Sequence, residues 1–273
     1  MQQMITFIIP VRHQDNSKNW VQLCKNLSQT ASAISRQSNP AWRGVVVANH
    51  GAELPPLPIG FEVCRVDFPP NQMHEMGSGD KELLYEAFRF DKGRRVLMGM
   101  IQARDAHRDN IGHFMIVDDD DFVSCELAAF VARNSTVSGW YVKNGYVWAD
   151  GGSMVYKHPT FHKVCGTSHI IRADLMELPE TFQSATPEYI KTMLGSHIFI
   201  DKYLEDKGSA LKELPFHGAV YRVGHAGAHS KSSGLWKTFV LRKSIMKRPV
   251  LMLQNIFRMR PVSGRIRSEF FGS

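Results

Sequence analysis

The sequence lacks the cysteine and hydrophobic patterns that mark several classes of protein. Its four cysteines, Cys24, Cys64, Cys125 and Cys165, are far apart and form no Cys-x-x-Cys pair, which argues against a disulfide framework and a zinc knuckle. No stretch approaches the ~18 apolar residues of a membrane-spanning helix. The apolar run near the N-terminus is too short for a signal peptide. We therefore expect a cytoplasmic protein with reduced thiols.

A glycine-rich loop is also missing at the place where several nucleotide-binding folds require one. Residues 11–15, Val-Arg-His-Gln-Asp, follow the first predicted strand. Their composition argues against a dinucleotide fold, a Walker loop and the sugar-phosphate nucleotidyltransferases. The acidic run further along does not fit an EF-hand, because Phe122, Val123 and Ala129 occupy the positions of a ligand, the glycine and the bidentate glutamate.

Positive charge is concentrated at the C-terminal end. The net charge is +7, but from Lys231 onward there are ten Lys or Arg residues and one acid, so this end carries +9 and the remainder −2. A near-neutral body predicts no nucleic-acid partner. Residues 237–260 mix apolar and basic side chains, and Pro249 divides them. They predict either an amphipathic region on an anionic membrane surface, at the inner face of the membrane, or a terminal helix packed on the domain.

Alternating strand and helix patterns predict an α/β fold with a largely parallel sheet. Helical spacing is present near 20–34, from 81 to about 107 with an interruption near Gly93, and from 187 to about 206 with Thr186 as the cap. The predicted strands are 5–9, 44–48, 61–66 and 114–117, followed by shorter strands at 139–142, 145–148, 153–156 and 219–223.

Four consecutive aspartates, Asp118 to Asp121, follow the fourth predicted strand. Adjacent carboxylates repel one another, so the run requires a divalent cation or strong Lys or Arg neighbours. Oxygen ligands favour Mn²⁺ or Mg²⁺, and these ions usually hold substrate phosphates; the alternative is a solvated acidic turn. In a parallel sheet, polar residues after the other strands converge on the same crevice. Here they are His13, Asp15, Asn49 and His50.

Three segments together resemble a known family of enzymes. Residues 8–11, 45–47 and 115–121 are similar in order and spacing to the nucleotide-binding half of a GT-A fold glycosyltransferase, closest to glycosyltransferase family 2, and the resemblance covers roughly residues 4–230. It implies a GT-A-like three-layer α/β/α domain with a mainly parallel central sheet, a small acceptor-side β region and a basic helical C-terminal tail. The domain would span residues 1–235, with a nucleotide-binding half at 1–124 and an acceptor half at 125–235, and the tail 236–273.

The resemblance also implies a nucleotide-sugar site around the aspartates. In the family, an Asp-x-Asp motif holds a divalent metal on the donor diphosphate; Asp118 and Asp120 match it, with Asp121 as a trailing acid. His225 and His229 are candidates to complete a site for Mn²⁺ or Mg²⁺. Members of the family often carry an acid after the second strand, whereas this chain has Asn49 and His50 there. The residues that would contact the donor are Pro10, Val11, Arg12, Asn49, His50, Lys92, Arg95, Asp118 and Asp119.

The catalytic base is the position at which the sequence departs most from the family. Inverting members carry an acidic pair near the start of the helix before the last strand, where this chain has Ser196 and His197. Histidine can act as a general base. Asp201, one helical turn further, would share its face and orient or replace it, and Asp150 is a third candidate. The sugar and the acceptor would contact Trp140, Trp148, Gly166, Thr167 and Ser168, although core packing is the alternative for the two aromatic residues.

The expected activity is metal-dependent transfer of a sugar from a nucleotide-diphosphate donor to a saccharide or lipid-linked acceptor, in surface polysaccharide or glycoconjugate synthesis. One alternative is another metal-dependent phosphoryl- or nucleotidyl-transfer enzyme. Another is a non-catalytic carbohydrate-binding relative, because the base position is not acidic.

Overall fold

A seven-stranded mixed sheet forms the centre of the protein. The structure is a computed structural model, and it describes residues 3–73, 80–108, 110–224 and 234–272. The strands in these residues are β1 (Met4–Pro10), β2 (Trp42–Asn49), β3 (Phe61–Val66), β4 (Ile111–Ile116), β5 (Phe122–Val123), β6 (Gly139–Tyr141), β7 (Gly145–Ala149), β8 (Met154–His158), β9 (His169–Arg172), β10 (Lys212–Glu213), β11 (Ala219–Val223) and β12 (Met259–Pro261). The central sheet has the order β10-β6-β9-β4-β1-β2-β3, and a second, five-stranded sheet has the order β12-β8-β7-β11-β5.

Helices cover both faces of the central sheet. Their bounds are α1 (Trp20–Ile34), α2 (Lys81–His107), α3 (Leu127–Arg133), α4 (Pro187–Tyr189), α5 (Ile200–Asp206), α6 (Leu235–Phe239), α7 (Lys243–Met246), α8 (Pro249–Arg258) and α9 (Gly264–Ile266). Ile5, Phe7 and Ile9 of β1 pack with α1 and α3, whereas Ile8 packs with α2 on the other face. This alternation follows from the two-residue period of a strand. The layered α/β architecture predicted from the sequence is therefore confirmed.

The central strand β1 is hydrogen-bonded on both sides by parallel neighbours. Ile8 pairs with Val45 of β2 and with Ile116 of β4, and β3 extends the parallel set beyond β2. A strand buried on both faces requires an apolar, β-branched sequence, which is what residues 5–9 provide. The carboxyl ends of β1 and β4 consequently lie side by side, where an open α/β sheet binds its ligands.

Helix α2 is continuous, so the predicted interruption near Gly93 is wrong. Gly93 lies inside the helix, and a Cβ placed on it would be 2.1 Å from the carbonyl oxygen of Ile190. The glycine thus permits close approach of two backbones instead of ending the helix. Asp80 caps the helix by accepting hydrogen bonds from the backbone N–H groups of Glu82 and Leu83, at 2.9 and 3.3 Å.

The predicted helix 187–206 is divided into two. Thr186 caps α4 as expected, because its hydroxyl accepts a hydrogen bond from the N–H of Tyr189 at 3.2 Å. A π-helical turn at 190–194 follows, the chain at 195–199 is not helical, and α5 begins at Ile200. At the break, a Cβ on Gly195 would lie 1.9 Å from the carbonyl oxygen of Arg89 in α2. Close packing on α2 therefore outweighs helical continuity.

The C-terminal residues add to the second sheet. Strand β12 pairs antiparallel with β8, and β11, predicted as the last strand, pairs with β7 and β5 in the same sheet. Phe270 is fully buried, and the carboxylate of Glu269 accepts a hydrogen bond from Ser124 at 2.8 Å. Among the residues that the structure describes, no helix is long and apolar enough to cross a bilayer.

Candidate active site

A cavity of about 760 Å³ opens at the carboxyl ends of β1 and β4. Three of the four consecutive aspartates reach it, together with cationic groups from three separate parts of the chain. The polar residues that line it include Arg12, Lys92, Arg95, Asp118, Asp119, Asp120, His197 and Arg222. Several of the donor and metal residues predicted from the sequence are thus brought together around one space.

Asp118 is held by an ion pair with Lys92. The ammonium of Lys92 donates a hydrogen bond to Oδ1 of Asp118, and the N–H of Asp118 donates to Oγ1 of Thr167 at 3.0 Å. Burial raises the pKa of Asp118, but the charge and hydrogen bond of Lys92 outweigh it, and the net shift is downward. Gly166 leaves room for the pair, because a Cβ there would lie 3.0 Å from Nζ of Lys92 and 3.2 Å from Oδ2 of Asp118. The pair is therefore charged and closely packed.

Asp121 supports the acidic loop from below and does not line the cavity. Its side chain is fully buried, and Oδ2 accepts hydrogen bonds from Oγ1 of Thr167 at 2.6 Å and Sγ of Cys165 at 3.1 Å. Oδ1 accepts from the backbone N–H of Arg222 at 3.1 Å. Burial and the neighbouring charges of Asp120 and Asp118 raise the pKa of Asp121 well above its usual value. The trailing acid is thus a structural tie between the loop, residues 165–167 and β11.

The donor atoms on the cavity side fit a hard divalent cation. Asp118 and Asp120 line the cavity and offer carboxylate oxygens, the type of ligand that Mg²⁺ and Mn²⁺ prefer. Within the described residues, no group of three or more His, Cys, Asp or Glu side chains is arranged to hold a metal. Two carboxylates suffice for an ion that takes its other ligands from phosphates and water. The predicted ligands His225 and His229 lie outside the described residues.

His197 lies in the non-helical segment 195–199 and lines the cavity. Its Nε2 is buried and has no hydrogen-bond partner among the described residues, whereas the ring donates a hydrogen bond to the carbonyl of Lys163. Since Nε2 is unpartnered, Nδ1 carries that proton and Nε2 keeps a lone pair. Burial, and then the charges of Lys92 and His169, lower the pKa of His197 to about 4. The ring is therefore neutral near pH 7.

Asp201 is bonded to His169 and not to His197. Oδ1 of Asp201 is 3.0 Å from Nε2 of His169, and Nδ1 of His169 is 3.0 Å from Oγ of Ser168. Burial raises the pKa of Asp201, but the hydrogen bond to His169 outweighs it and the net shift is downward. The expectation that Asp201 and His197 share a helical face is wrong, because the chain is not helical at 195–199. Ser168 itself donates to the carbonyl of Cys165 at 2.7 Å.

Arg95 lines the cavity and connects it to a buried hydrogen-bond network that includes Asn49. Arg95 is 1% exposed, and it donates to Oδ1 of Asn49 at 2.6 Å and to Oδ2 of Asp91 at 3.2 Å. Asn49 in turn donates to the carbonyl of Phe68 at 2.6 Å and does not line the cavity. His50, next in sequence, is exposed and also outside the cavity lining. The basic segment 92–95 is helical, so the interruption predicted near Gly93 does not separate Lys92 from Arg95.

The predicted aromatic residues are packed against other rings. Trp140 is 3% exposed, and its ring centroid is 5.1 Å from that of Phe130. Trp148 packs on Phe271 at 4.8 Å, and neither tryptophan lines the cavity. Val11 is fully buried in the core. For the two tryptophans, these contacts correspond to the core-packing alternative.

Asp150 is engaged by Arg222, a residue that the sequence interpretation did not identify. Nε and Nη2 of Arg222 lie 3.1 and 2.7 Å from Oδ1 of Asp150, and Nη1 donates to Oε1 of Gln29 at 2.7 Å. Arg222 is 3% exposed yet lines the cavity. An arginine inside the apolar strand 219–223 could have indicated such a role, because a buried guanidinium requires partners.

Comparisons with known proteins give likenesses of fold only. No protein-family model matches the chain, and no curated protein does. The structure of residues 1–349 of S. aureus TarS superposes with a TM-score of 0.44 and 14% identity over 81% of this chain and 60% of that one. A longer TarS structure superposes with a TM-score of 0.34 and 13% identity, over 81% of this chain and 37% of that one. The manganese complex of Rv0371C from Mycobacterium tuberculosis H37Rv superposes with a TM-score of 0.35 and 10% identity, over 81% of this chain and 92% of that one. The chain thus spans three fifths or less of the TarS structures.

The fold itself is a GT-A-like α/β domain, as the sequence resemblance implies. Strands β3, β2, β1 and β4 form a parallel set, β9 and β6 continue the sheet with an antiparallel strand between parallel ones, and a second small sheet lies beyond. The acidic loop at residues 118–121 follows β4 at the edge where ligands bind in such sheets.

Proposed function

We propose that this protein is a metal-dependent glycosyltransferase that moves a sugar from a nucleotide-diphosphate donor to a saccharide or lipid-linked acceptor. The observation that carries the proposal is the cavity at the ends of β1 and β4, where Asp118, Asp119 and Asp120 face Arg12 and Lys92. Carboxylates beside cations at the end of a parallel sheet suit a ligand with phosphates and a counter-ion. We place the reaction in surface polysaccharide or glycoconjugate synthesis.

The donor diphosphate is bound on the side of Arg12 and Lys92. A guanidinium and an ammonium both form charge-assisted hydrogen bonds with phosphate oxygens. Asp118 and Asp120 would hold Mn²⁺ or Mg²⁺, which when bound supplies positive charge to the departing nucleoside diphosphate. Lys92 already neutralises Asp118 in the protein alone, which keeps the acidic loop in place before a ligand arrives.

His197 is the proposed base. Because Nδ1 donates to the carbonyl of Lys163, Nε2 keeps a free lone pair. This is the form of the ring that accepts a proton from an acceptor hydroxyl. The lowered pKa keeps the ring unprotonated at neutral pH, although it also makes the ring a weaker base. His169 and Asp201, which are bonded to each other, lie close enough to His197 to interact with it electrostatically.

Donor binding is tested by thermal unfolding with nucleoside diphosphates in the presence and absence of Mn²⁺. At a ligand concentration 100 times the dissociation constant, binding adds about 2.7 kcal/mol, which corresponds to a rise in Tm of roughly 5 °C or more. Asp120→Ala should lose the metal-dependent part of this rise. The matched control is Asp206→Ala, because this carboxylate is 61% exposed and lies outside the cavity lining. If no diphosphate stabilises the wild type in a metal-dependent way, the proposal fails.

The base is tested by transfer assays on His197→Ala. Loss of a general base lowers kcat by roughly 10²- to 10⁴-fold, while donor binding should be unchanged. His107→Ala is the control, since fifteen residues of α2 separate it from Lys92, about 22 Å along the helix. Retained turnover in His197→Ala removes this residue from the role. Release of a nucleoside monophosphate and a sugar phosphate would instead favour the phosphoryl-transfer alternative.

A further inference from the structure

The three helices α6, α7 and α8 present an unusual number of apolar side chains to solvent. Val250 is 69% exposed and Phe257 is 70% exposed, although both are large hydrophobic residues. We call this surface the outer face. Its exposed apolar members are Trp236, Leu241, Met246, Val250, Leu253, Ile256 and Phe257. Several large apolar side chains exposed within one short segment of the chain indicate a site of interaction.

Helix α8 packs with Leu251, Met252 and Asn255 inward and leaves a second apolar side exposed. Its buried residue is Asn255, which accepts a hydrogen bond from the hydroxyl of Tyr156 and donates one to the carbonyl of Phe239, both at 2.7 Å. Val250, Leu253 and Phe257, at spacings of three and four residues, share the opposite side. A surface helix normally buries its apolar face. Here Asn255, with half-buried Leu251 and Met252, anchors one side of the helix. The second apolar side remains exposed and is left for an external partner.

The charge around the outer face indicates the chemistry of that partner. Six basic residues lie in the described segment 234–258, and the sequence has no Asp or Glu between Glu213 and Glu269. A second copy of the chain would bring these cations against one another, which costs free energy. A partner that is apolar and anionic at the same surface avoids that cost. The headgroup and acyl boundary of an anionic bilayer has both properties.

We propose that the outer face docks the protein on an anionic membrane surface, with Val250, Leu253 and Phe257 entering the boundary and Lys243, Lys247 and Arg248 contacting headgroups. The docking requires neither donor nor metal, so it goes beyond the proposed enzymatic activity and fails or succeeds independently of it. It accounts together for the exposed apolar side of α8 and for the absence of acids in the surrounding sequence.

Vesicle flotation tests the proposal directly with the full chain. The protein is mixed with vesicles of phosphatidylcholine alone and with vesicles containing 30% phosphatidylglycerol, at about 0.1 M and about 1 M NaCl. We expect binding to the anionic vesicles at low salt only, because the screening length falls from about 10 Å to about 3 Å. Absence of binding, or equal binding to neutral vesicles, overturns the proposal.

Two variants separate the contributions. Each basic residue near an anionic surface contributes about fivefold to partitioning (about 1 kcal/mol), so replacing Lys243, Lys247 and Arg248 by Gln should reduce the partition coefficient about 100-fold. Leu253→Gln with Phe257→Gln should also release the protein, and an unchanged Tm would show that both variants are folded.

The matched control removes similar side chains from another exposed surface. Lys18, Val21 and Lys25 are exposed near the start of α1, and Val21 is 80% exposed. Their replacement by Gln should leave vesicle binding unchanged. If it weakens binding as much as the outer-face variants do, binding depends only on the net charge of the protein, and the proposal is overturned. A concentration-dependent dimer that Leu253→Gln and Phe257→Gln abolish, with no vesicle binding by the wild type, would assign the outer face to a second copy.

Discussion

Replacing Gly93 with alanine tests the packing that holds Lys92 and His197 at the same cavity. In an ordinary helix interior the change stabilises by about 1 kcal/mol, because alanine loses less backbone entropy than glycine. Here the added Cβ would lie 2.1 Å from the carbonyl oxygen of Ile190 and 2.8 Å from its Cγ2. Ordinary contacts begin at 3.4 Å, so α2 and the turn 190–194 must separate by more than 1 Å.

The expected effect of Gly93→Ala is a net loss of stability of about 2 kcal/mol. Overpacking of this kind costs about 1–3 kcal/mol or more, and the upper part of that range applies because a backbone oxygen cannot move aside by changing rotamer. The helix-propensity gain offsets only about 1 kcal/mol. Urea unfolding followed by circular dichroism measures the change as a lower midpoint with an unchanged slope.

Gly264→Ala is the matched control for this prediction. No atom lies within 4 Å of a Cβ added at Gly264, and its backbone does not require glycine. This variant should be neutral or up to about 1 kcal/mol more stable. Only Gly93→Ala should therefore lower the free energy of unfolding. If Gly93→Ala is as stable as the wild type, α2 and residues 190–194 do not approach as closely as described, and the reason given for the broken helix fails.

Two further substitutions probe a cavity-lining arginine and a histidine of the second sheet's packing. Arg95→Met leaves Oδ1 of Asn49 without its partner, while Asp91 keeps its ion pair with Arg94. Loss of a buried hydrogen bond to a charged group costs about 1.5–3 kcal/mol, measurable by urea unfolding; a loss below about 1 kcal/mol would contradict the network. His217 stacks on Tyr146, and burial followed by the charge of Lys157 lowers the pKa of His217 to about 4. The unfolded chain therefore binds a proton near pH 6.5 before the folded chain does, so stability is complete above pH 6.5 and declines toward pH 4. At pH 5 the loss is about 1–2 kcal/mol, and His217→Phe should remove that share; an identical pH profile would refute it.

The strands of the central sheet could be predicted because their sequence is dictated by burial on both faces. Residues 61–66 were predicted as a strand and form β3, and the runs at 5–9 and 44–48 form the middle of β1 and β2. Apolar, β-branched runs of this length have few alternatives in a layered α/β protein. The acidic loop after β4 followed from the same pattern.

The continuity of α2 at Gly93 and the break in the predicted helix 187–206 could not be predicted. Gly93 and Gly195 are local helix breakers in sequence, yet one is enclosed in α2 and the other ends the π-helical turn against α2. The sequence shows only that each position has no side chain. The reason is the close approach of a backbone carbonyl oxygen from a residue about 100 positions away, Ile190 for Gly93 and Arg89 for Gly195. The misplaced partner of Asp201 follows from this, because its assignment assumed an unbroken helix.

The different roles of the four aspartates could be predicted only in part from the sequence. The resemblance to an Asp-x-Asp motif distinguishes Asp118 and Asp120 from their neighbours, but the burial of Asp121 depends on Thr167, Cys165 and the backbone of Arg222. These residues are remote in sequence, so no local pattern identifies them. The same holds for the ion pair between Lys92 and Asp118, which joins the middle of a helix to the end of a strand.

The hydrogen bonds of Asp121 also determine when the acidic loop can form during folding. A chain ending at residue 124 would contain β1 to β5 but neither Thr167 nor Arg222, so Asp121 would have water in place of its three partners. Its neighbours would then repel one another without support from below. The cavity is therefore completed only when residues 165–167 and β11 of the second sheet are in place. The N-terminal half by itself presents the acidic residues without the site that they form in the whole chain.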